Sequence, residues 1–532
     1  MRGIGSRSVR VLIFHGYLLG GTGSNVYNAR LAEALVTLGH EVHLLSQDRH
    51  PTAYPFVDAF GDWDGGTLRV RALRPAISDR PGRCTVYRPN IGALLPVYVA
   101  DRYEGIEARP FAECSEEEVA RYIDANVAAV RELCGLVHPE VGLANHLVMG
   151  PVILARALGG EVPYAVKIHG SALEYTVKPH PERFLGLARE GVAGARAILV
   201  GSRHTAESLW EALAGENLPE RTRLGPPGVD VELFVPRDQA RASAGMNALV
   251  DRLRSSRADG TPSSAFARDE RAAAEALGRL QPGRDRLVAF VGKLIVSKGI
   301  DLLIAAWPLV SERVPRARLV VVGFGAYREG AERLGAALLA GDFDLAREIA
   351  LAGRALEEPA SGPRPLRHLL AFFDGLRGEE RERYLAAAQG LGEGLVLTGR
   401  LDHEELADLL PACEALVVPS TFPESFGMVA AEAAACGVLP VSAAHSGLAE
   451  VSDALARAVP GQVAGWLSFP IDDGAVRALA ERLVGWLQAD PDLRSRAREG
   501  LVSKARERWS WEGVARGVIA AARGELDGLE RP

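Results

Sequence analysis

Two glutamates separated by seven residues, Glu424 and Glu432, are the acidic side chains of this sequence whose setting most favours chemistry. They lie in a loop and the start of a helix that follow an apolar, strand-like run. Such a loop opens at the carboxyl edge of a parallel sheet, where open α/β domains bind ligands. Backbone N–H groups at Ser425, Phe426 and Gly427 suit a phosphate at the helix start. Each carboxylate could accept hydrogen bonds from neighbouring sugar hydroxyls. The alternative is that both glutamates are ordinary surface residues.

Lysine is scarce in this chain, which has five lysines among its 61 basic residues. Two of them, Lys293 and Lys298, fall in one glycine-flanked loop directly after another apolar run. Two lysines five residues apart can hold the two phosphates of a diphosphate as point charges. A pair of exposed surface lysines is the alternative, and the preference for arginine elsewhere in the chain weakens it.

Histidines and glycines also follow apolar runs. His169 follows the run that contains Lys167, and it could touch a sugar hydroxyl or serve as a structural residue at a strand end. His146 has the same placement, and there the structural interpretation is favoured. Gly20 and Gly21 belong to a glycine-rich loop that allows close approach of the backbone to a phosphate or sugar.

Other site chemistries are disfavoured. Arg328 stands where a dinucleotide-binding fingerprint starting at Gly323 needs its third glycine, so no NAD cofactor is expected. The Asp-x-Asp patterns at 62–64 and 342–344 could hold a divalent ion in another context. Neither follows a strand in the required way, so no metal site is predicted. No Gly-x-Ser-x-Gly nucleophile motif occurs.

The composition is that of an ordinary globular protein, with 48% hydrophobic and 24% charged residues. A net charge of -7 argues against a nucleic-acid partner. No uninterrupted apolar stretch of about 18 residues predicts a transmembrane segment, while peripheral membrane contact stays open. The five cysteines are scattered without Cys-x-x-Cys spacing, and a cytoplasmic location is the simplest expectation.

Two alternations of apolar runs and helix-like segments predict two α/β domains, each a doubly wound, Rossmann-like sheet, facing each other across a cleft. The N-terminal domain is predicted at 1–232 and the C-terminal domain at 233–508, with a helical insertion at about 327–390. A last helix at 509–532 follows. Residues 237–285 show little that looks core-forming, and residues 48–114 have weak periodicity.

An ordered set of motifs resembles one known family, the retaining glycosyltransferases of family 4, which have the GT-B fold. The matching motifs run in order along most of the chain: the glycine loop, Gly39-His40-Glu41-Val42, His169-Gly170, Pro227-Gly228-Val229-Asp230 with Phe234, Gly292-Lys293, Lys298-Gly299, Gly323-Phe324-Gly325, and the glutamate pair followed by Gly437 and Pro440.

The resemblance implies that the N-terminal domain binds an acceptor and the C-terminal domain binds a nucleotide sugar as co-substrate. It implies that Lys293 and Lys298 hold the diphosphate, Glu432 the ribose and Glu424 the donor sugar. His169 would line the sugar pocket, and its carbonyl would stabilise positive charge at the anomeric carbon. Transfer would retain the anomeric configuration without a bound metal, and the last helix would cross back to the N-terminal domain.

This sequence departs from the family pattern in three respects. Lys293 replaces the usual arginine, Ser446-Gly447 replaces a double glycine, and the segments 237–285 and 327–390 are longer than usual. The expected donor is a UDP-, GDP- or ADP-sugar, and the acceptor is not specified by any motif. An epimerase or hydrolase of nucleotide sugars and a non-catalytic binding protein are the alternatives in other functional classes.

Overall fold

The computed structural model describes residues 7–20, 23–64, 66–74, 80–98, 107–215, 217–255, 268–357 and 362–532. The chain divides into two compact units. The first runs to Gly228 and also includes Trp509–Pro532, and the second is Val229–Arg508. The division between them therefore falls at 228/229, where the sequence predicted 232/233, and the last helix is part of the first unit.

The first unit contains the first eleven strands and six helices of the described chain. Its strands are β1 (Arg10–Phe14), β2 (Glu41–Leu45), β3 (Ala59–Asp64), β4 (Thr67–Ala72), β5 (Arg83–Arg88), β6 (Leu94–Val97), β7 (Glu107–Pro110), β8 (Val141–Asn145), β9 (Tyr164–Lys167), β10 (Ala197–Val200) and β11 (Thr222–Leu224). Its helices are α1 (Gly23–Thr37), α2 (Glu116–Val137), α3 (Gly150–Leu158), α4 (Pro181–Ala193), α5 (Arg203–Leu213) and α6 (Leu218–Arg221).

Nine of these strands form one sheet in the order β11-β10-β9-β8-β1-β2-β5-β3-β4. Its pairs are parallel except for β3 with β4. The strand β1 shows why its apolar run is continuous: Leu12 and Phe14 pack into the core on one face, and Val11 and Ile13 pack into the core on the other. A parallel strand covered on both faces needs apolar residues at successive positions.

The second unit contains the remaining strands and most of the remaining helices. Its strands are β12 (Arg286–Val291), β13 (Ala317–Val322), β14 (Leu395–Gly399), β15 (Ala415–Val418), β16 (Leu439–Ala443) and β17 (Ser468–Phe469). Its helices are α7 (Gln239–Ser255), α8 (Glu270–Gly278), α9 (Ile300–Arg313), α10 (Arg328–Leu339), α11 (Phe343–Ala352), α12 (Arg367–Gly375), α13 (Gly378–Ala388), α14 (Leu391–Gly394), α15 (His403–Leu409), α16 (Met428–Ala435), α17 (Ser446–Ala456), α18 (Gly461–Ala464), α19 (Ala475–Leu487) and α20 (Pro491–Trp509).

All strand pairs of the second sheet are parallel, in the order β14-β13-β12-β15-β16-β17. This is the strand order 3-2-1-4-5-6 of a dinucleotide-type Rossmann domain. The order reverses between β12 and β15, so the loops that follow these two strands leave the sheet side by side at its carboxyl edge. The first sheet reverses in the same way between β8 and β1.

Two segments differ from their sequence-based descriptions. Residues 237–285 are not poor in core residues: α7 and α8 pack together and bury Met246, Leu249 and Leu277. Their many alanines, arginines and serines hid this pattern, because each helix buries one narrow face. Residues 48–114 contain β3 to β7: β4 is largely exposed, β6 and β7 have four residues each, and the partly buried β3 and β5 carry charged residues such as Asp62 and Arg88, so the hydrophobic periodicity is weak.

A last helix, α21 (Trp511–Arg523), packs on α1 and on strands β8 and β9 of the first unit. Ser510 caps it by accepting a 3.3 Å hydrogen bond from the Gly513 N–H. Its buried face includes Val518 and Ala522, which join the core on one side of the first sheet. The final residues extend this contact, since the Leu224 N–H donates to the Glu530 carbonyl over 2.7 Å.

Candidate functional site

The residues singled out in the second unit lie on the two loops that leave the sheet where its strand order reverses. Gly292–Gly299, here called the lysine loop, follows β12, and Pro419–Gly427, here called the glutamate loop, follows β15. The Thr421 N–H donates to the Ser297 carbonyl over 2.9 Å, which joins the two loops. Gly299 has φ +67°, and a Cβ there would lie 2.0 Å from the Pro419 carbonyl oxygen. Only glycine therefore allows this approach.

Lys298 and Glu424 meet across these loops. The Lys298 ammonium donates to Glu424 Oε1 and forms an ion pair with it. The Ser420 hydroxyl donates to the same carboxylate oxygen over 2.6 Å. The two charged side chains are 31% and 22% exposed, so the pair is accessible to a ligand. In this state Lys298 is neutralised by a carboxylate, and a phosphate would have to replace that carboxylate as its counter-ion.

Ser446 and Gly447 fix the backbone of Glu424. The Glu424 N–H donates to the Ser446 hydroxyl over 2.9 Å, and the Gly447 N–H donates to the Glu424 carbonyl over 2.9 Å. Ser446 adopts φ +53°, a left-handed conformation that favours glycine. A Cβ on Gly447 would lie 2.7 Å from backbone atoms of Ser425 and Phe426. The serine that replaces the first glycine thus keeps the glycine-like backbone and adds a hydroxyl that positions Glu424.

The other two charged residues predicted here differ in exposure. Lys293 is exposed and has no hydrogen-bond or ion-pair partner among the residues that the structure describes. Glu432 lies one turn into α16 and is buried, with Oε1 3.6 Å from His403 Nε2 at the start of α15. The His403 ring in turn packs edge-on against Phe234, with ring centroids 4.8 Å apart.

In the first unit, His169 follows β9 and is held by Asn145 at the end of β8. The Asn145 side-chain N–H donates to the Phe14 carbonyl over 3.2 Å, so its Oδ1 faces the histidine. His169 Nε2 therefore carries the proton and donates to Oδ1 over 2.7 Å. Oδ1 also accepts from the Asn28 side chain over 3.1 Å. His169 Nδ1 has no partner in the described part of the chain and remains a hydrogen-bond acceptor.

Burial keeps the histidines of this cluster neutral. Desolvation lowers the pKa of His169 well below its usual value, and the proximity of the ionisable side chains His146, Lys167 and His15 also disfavours its protonation. Desolvation likewise lowers the pKa of His15 to about 4. The ring centroids of His146 and His169 lie 4.9 Å apart, and neither ring nitrogen of the buried His146 has a hydrogen-bond partner among the described residues. A neutral imidazole has one donor and one acceptor nitrogen, and in His169 the donor is bound to Asn145, which leaves Nδ1 to accept from a sugar hydroxyl.

Lys167 has a structural place rather than one in a ligand site. It is 2% exposed, and its ammonium donates to the Gly225 carbonyl over 2.5 Å and lies 5.4 Å from the Tyr27 ring centroid. Desolvation lowers its pKa to about 7.

Gly20 lies in the loop between β1 and α1, and its carbonyl accepts a hydrogen bond from the Asn25 side chain over 2.7 Å. Gly21 lies outside the described residues.

The two Asp-x-Asp patterns also have structural partners. Asp62 accepts two hydrogen bonds from the Arg88 guanidinium, at 2.9 and 2.7 Å. Asp342 caps α11 by accepting from the Leu345 N–H over 2.9 Å. In the described part of the chain, no group of three or more His, Cys, Asp or Glu side chains is arranged to hold a metal ion.

Sequence reasoning missed the residues that orient the predicted ones. Ser420, Asn145 and Ser446 contact Glu424 or His169 directly. The signal available for Ser446 was its position in place of a family glycine. For Ser420 and Asn145 the only signal was position, since each stands at or just after the end of a predicted strand.

Comparison with known families identifies two matching domains. A model described as glycosyl transferase 4-like domain matches residues 22–219, and a model described as glycosyl transferases group 1 matches residues 368–500. Among curated proteins, a D-inositol 3-phosphate glycosyltransferase of Segniliparus rotundus is 27% identical, covering 80% of this chain and 75% of that protein. One from Xylanimonas cellulosilytica is also 27% identical, covering 91% of this chain and 96% of that protein.

Solved structures agree on the fold. A sucrose-phosphate synthase of Thermosynechococcus elongatus aligns with a TM-score of 0.54 and 18% identity, covering 97% of this chain and 99% of that chain. An Anabaena protein solved in complex with UDP aligns with a TM-score of 0.51 and 16% identity, covering 98% and 100%.

Two Rossmann-like units, the two matching family models and the two curated relatives named above define the class of this protein as a glycosyltransferase. The chain belongs to glycosyltransferase family 4, whose two-domain architecture is the GT-B fold. The family, the fold class and the enzyme class predicted from the sequence are thereby confirmed. No described helix is long and apolar enough to cross a membrane.

Proposed function

We propose that this glycosyltransferase moves a hexose from a nucleotide diphosphate sugar to a hydroxyl group of a small acceptor, with retention of configuration. The observation that carries the proposal is the contact between Lys298 and Glu424 where the second sheet reverses its strand order. A cation and a carboxylate on adjacent loops match the two ends of a sugar diphosphate, one anionic and one rich in hydroxyls.

On the diphosphate side, Lys293 and Lys298 supply positive charge. Lys293 is exposed and has no partner in the described chain, so it can bind a phosphate without breaking an existing contact. Lys298 would exchange Glu424 for a phosphate oxygen. Both cations stabilise the negative charge that develops on the leaving diphosphate. In other enzymes a metal ion stabilises this charge. We therefore propose that the reaction needs no bound metal or other cofactor.

On the sugar side, the carboxylate of Glu424, once released from Lys298, accepts hydrogen bonds from hydroxyls of the donor sugar. The backbone N–H groups of Ser425, Phe426 and Gly427 lie just before α16. N–H groups at the start of a helix favour binding of an anion, here the phosphates of the donor. Glu432 is assigned to the ribose hydroxyls. Its carboxylate is buried against His403, so ribose would bind at the edge of that contact.

The first unit is assigned to the acceptor and to the sugar's reacting face. His169 Nδ1 is an available acceptor on a neutral, well-oriented ring, which suits a sugar hydroxyl. We propose that its backbone carbonyl stabilises positive charge at the anomeric carbon. The glycine loop with Gly20 and Gly21 allows a ligand to approach the backbone.

In the single-step reaction proposed here, the acceptor oxygen attacks from the face that the diphosphate leaves, which retains the configuration. The bond between the anomeric carbon and the phosphate oxygen breaks, and the bond to the acceptor oxygen forms on the same face. The acceptor's proton passes to the leaving phosphate oxygen. The curated relatives act, by name, on D-inositol 3-phosphate, which makes this phosphorylated polyol the first acceptor to test.

A thermal-shift screen tests the donor half of the proposal. A ligand that binds only the folded chain raises its melting temperature, so one of UDP, GDP or ADP should raise Tm at millimolar concentration. The matching nucleotide sugar is then incubated with and without D-inositol 3-phosphate, in buffer containing EDTA. We expect nucleoside diphosphate release that depends on the acceptor, and a product whose anomeric proton keeps the donor's configuration by NMR.

Three results would contradict the proposal. Release of nucleoside diphosphate at the same rate without acceptor would indicate a hydrolase, and recovery of an isomeric nucleotide sugar would indicate an epimerase. Absence of a thermal shift with every nucleotide would remove the donor site itself. Turnover with a different polyol but not with inositol phosphate would keep the reaction class and change the acceptor.

A further inference from the structure

The lysine loop receives a carboxylate from the helical insertion, in a part of the chain that neither family model matches. Glu357 lies between α11 and α12. The two family models match residues 22–219 and 368–500, so this segment falls between the matched regions. Its Oε2 accepts a 2.9 Å hydrogen bond from the backbone N–H of Val296, 61 residues earlier in the chain. The contact therefore links the helical insertion with the loop that carries Lys298.

The Val296 N–H is a group that needs such a partner. Val296 begins a single 3-10 turn, Val296–Lys298, and the preceding residue Ile295 provides no side-chain cap. The first N–H groups of a helical turn have no acceptor within the turn, and a carboxylate there is favourable because the peptide dipoles point their positive ends toward it. Glu357 thus supplies the cap that the local sequence lacks.

Other contacts attach the lysine loop at its start, at its end and within the turn itself. At the start of the loop, the Leu294 N–H donates to the Phe324 carbonyl over 2.7 Å. At its end, Gly299 packs against Pro419. The turn Val296–Lys298 lies between these points, where the Ser297 carbonyl accepts from the Thr421 N–H over 2.9 Å, and Glu357 binds the N–H at its start. Loss of its cap would loosen the turn without detaching either end of the loop.

Glu357 is itself held in place by its own segment. The Glu357 N–H donates to the Arg354 carbonyl over 3.0 Å, and the Arg354 N–H donates to the Arg364 carbonyl over 3.0 Å. Gly353 has φ +51°, and a Cβ there would lie 2.0 Å from the Arg364 carbonyl oxygen. The carboxylate is therefore presented from an ordered turn.

We propose that Glu357 is a positioning residue for donor binding, whose carboxylate fixes the turn Val296–Lys298 and thereby holds the Lys298 ammonium where the diphosphate binds. This inference rests on the proposed role of the lysine loop. It assigns a function to the helical insertion, which contacts the lysine loop through Glu357.

The test measures UDP binding by calorimetry on the full chain. Glu357→Ala is expected to raise the Kd for UDP about three- to tenfold, because a preorganised turn becomes loose and must be ordered on binding. Glu357→Gln keeps an acceptor oxygen at the same reach and is expected to bind nearly as the wild type does. Glu357→Asp, shorter by one methylene, should behave like the alanine variant and replaces it if the latter does not fold. Glu348→Ala, an exposed glutamate of the same insertion, is the matched control.

A second variant removes the hydrogen-bond donor, the Val296 N–H, instead of the hydrogen-bond acceptor, the Glu357 carboxylate. Val296→Pro deletes the N–H at the first position of the turn, where proline is tolerated, and Ile295 already has an extended backbone (φ -130°, ψ 152°) that can precede proline. If Glu357 acts through this N–H, Glu357→Ala should change the Kd in the Val296 chain and leave it unchanged in the Val296→Pro chain. A merely structural role of Glu357 would produce the same loss in both.

The outcomes separate the inference from the proposed function. Equal UDP affinity in wild type and Glu357→Ala, or an equal loss in both backgrounds, overturns the inference. If the wild type binds UDP and Lys298→Ala does not, the proposed donor site stands even when the inference about Glu357 is overturned. If neither UDP, GDP nor ADP binds the wild type, the proposed function fails first.

Discussion

Replacing Glu424 with glutamine should separate the two tasks that this residue has in the donor site. In the ligand-free chain its carboxylate neutralises Lys298, and in the proposed reaction it accepts hydroxyls of the donor sugar. Glutamine keeps the size and one acceptor oxygen for the Ser420 hydroxyl, but it lacks the charge. We therefore expect UDP to bind more tightly to the variant, while turnover of the sugar donor falls.

The magnitudes follow from the exposure of the pair. Both side chains are about a quarter to a third exposed, and partly exposed ion pairs are worth roughly 0.5–1 kcal/mol. Removing the competing carboxylate should thus lower the Kd for UDP about two- to fivefold. Loss of the preorganised carboxylate should lower kcat about a hundredfold or more. The affinity gain should shrink as salt is raised, because the competing interaction is screened.

The assay is calorimetric titration with UDP at low and high ionic strength, paired with initial-rate kinetics on the nucleotide sugar. Glu404→Gln is the matched control, since Glu404 is exposed in the same unit, and the variant changes the net charge equally. UDP that binds Glu424→Gln no more tightly than wild type, or a control that gains as much, would refute the reasoning that Glu424 and phosphate compete for Lys298.

Three further changes test other parts of the structure. Lys293→Ala should raise the Kd for UDP about tenfold by calorimetry with an unchanged Tm, whereas Lys504→Ala should leave both unchanged. Gly447→Ala should lower both Tm and UDP affinity, because the added Cβ would lie 2.7 Å from backbone atoms of Ser425; unchanged values would show that the loops can move apart. Lys167 has a folded-state pKa of about 7, below its ordinary value of 10.5. Between these two pH values the unfolded chain binds more protons than the folded chain. This lysine therefore makes the unfolding free energy rise with pH in that range. Lys167→Met should flatten that rise, by up to a few kcal/mol between pH 7 and pH 10 in denaturant titrations, and an unaltered slope would mean that the amine is not buried as a neutral group.

Much of the architecture could be predicted because buried parallel strands have a recognisable local pattern of apolar residues. The runs at 9–14, 141–144 and 415–418 are apolar at successive positions, and the structure has β1, β8 and β15 there. The capping pair Ser115 and Glu118 likewise marks the start of α2. These signals depend on residues close in sequence, so no tertiary information is needed to read them.

Other elements could not be predicted in this way. The strand β4 is largely exposed, β6 and β7 have four residues each, and the helices α7 and α8 bury only a narrow face of small or mixed residues. Their stability comes from the neighbours they pack against rather than from a local pattern. The same holds for Lys167, one of the five lysines of the chain, whose side-chain nitrogen is buried 5.4 Å from the Tyr27 ring centroid.

The sequence by itself determined that the chain has two α/β domains and that Glu424, Glu432, Lys293, Lys298 and His169 follow strands or begin helices. It did so because strand runs, glycine loops and the seven-residue spacing are local properties of the chain. Tertiary structure alone decided which of these groups meet.

The parallel register of β12 and β15 brings Lys298 to Glu424 across 126 residues of sequence. The fold likewise turns Asn145 toward His169 and carries Glu357 to the Val296 N–H. Such contacts depend on how distant segments pack, and no periodicity in the chain encodes them.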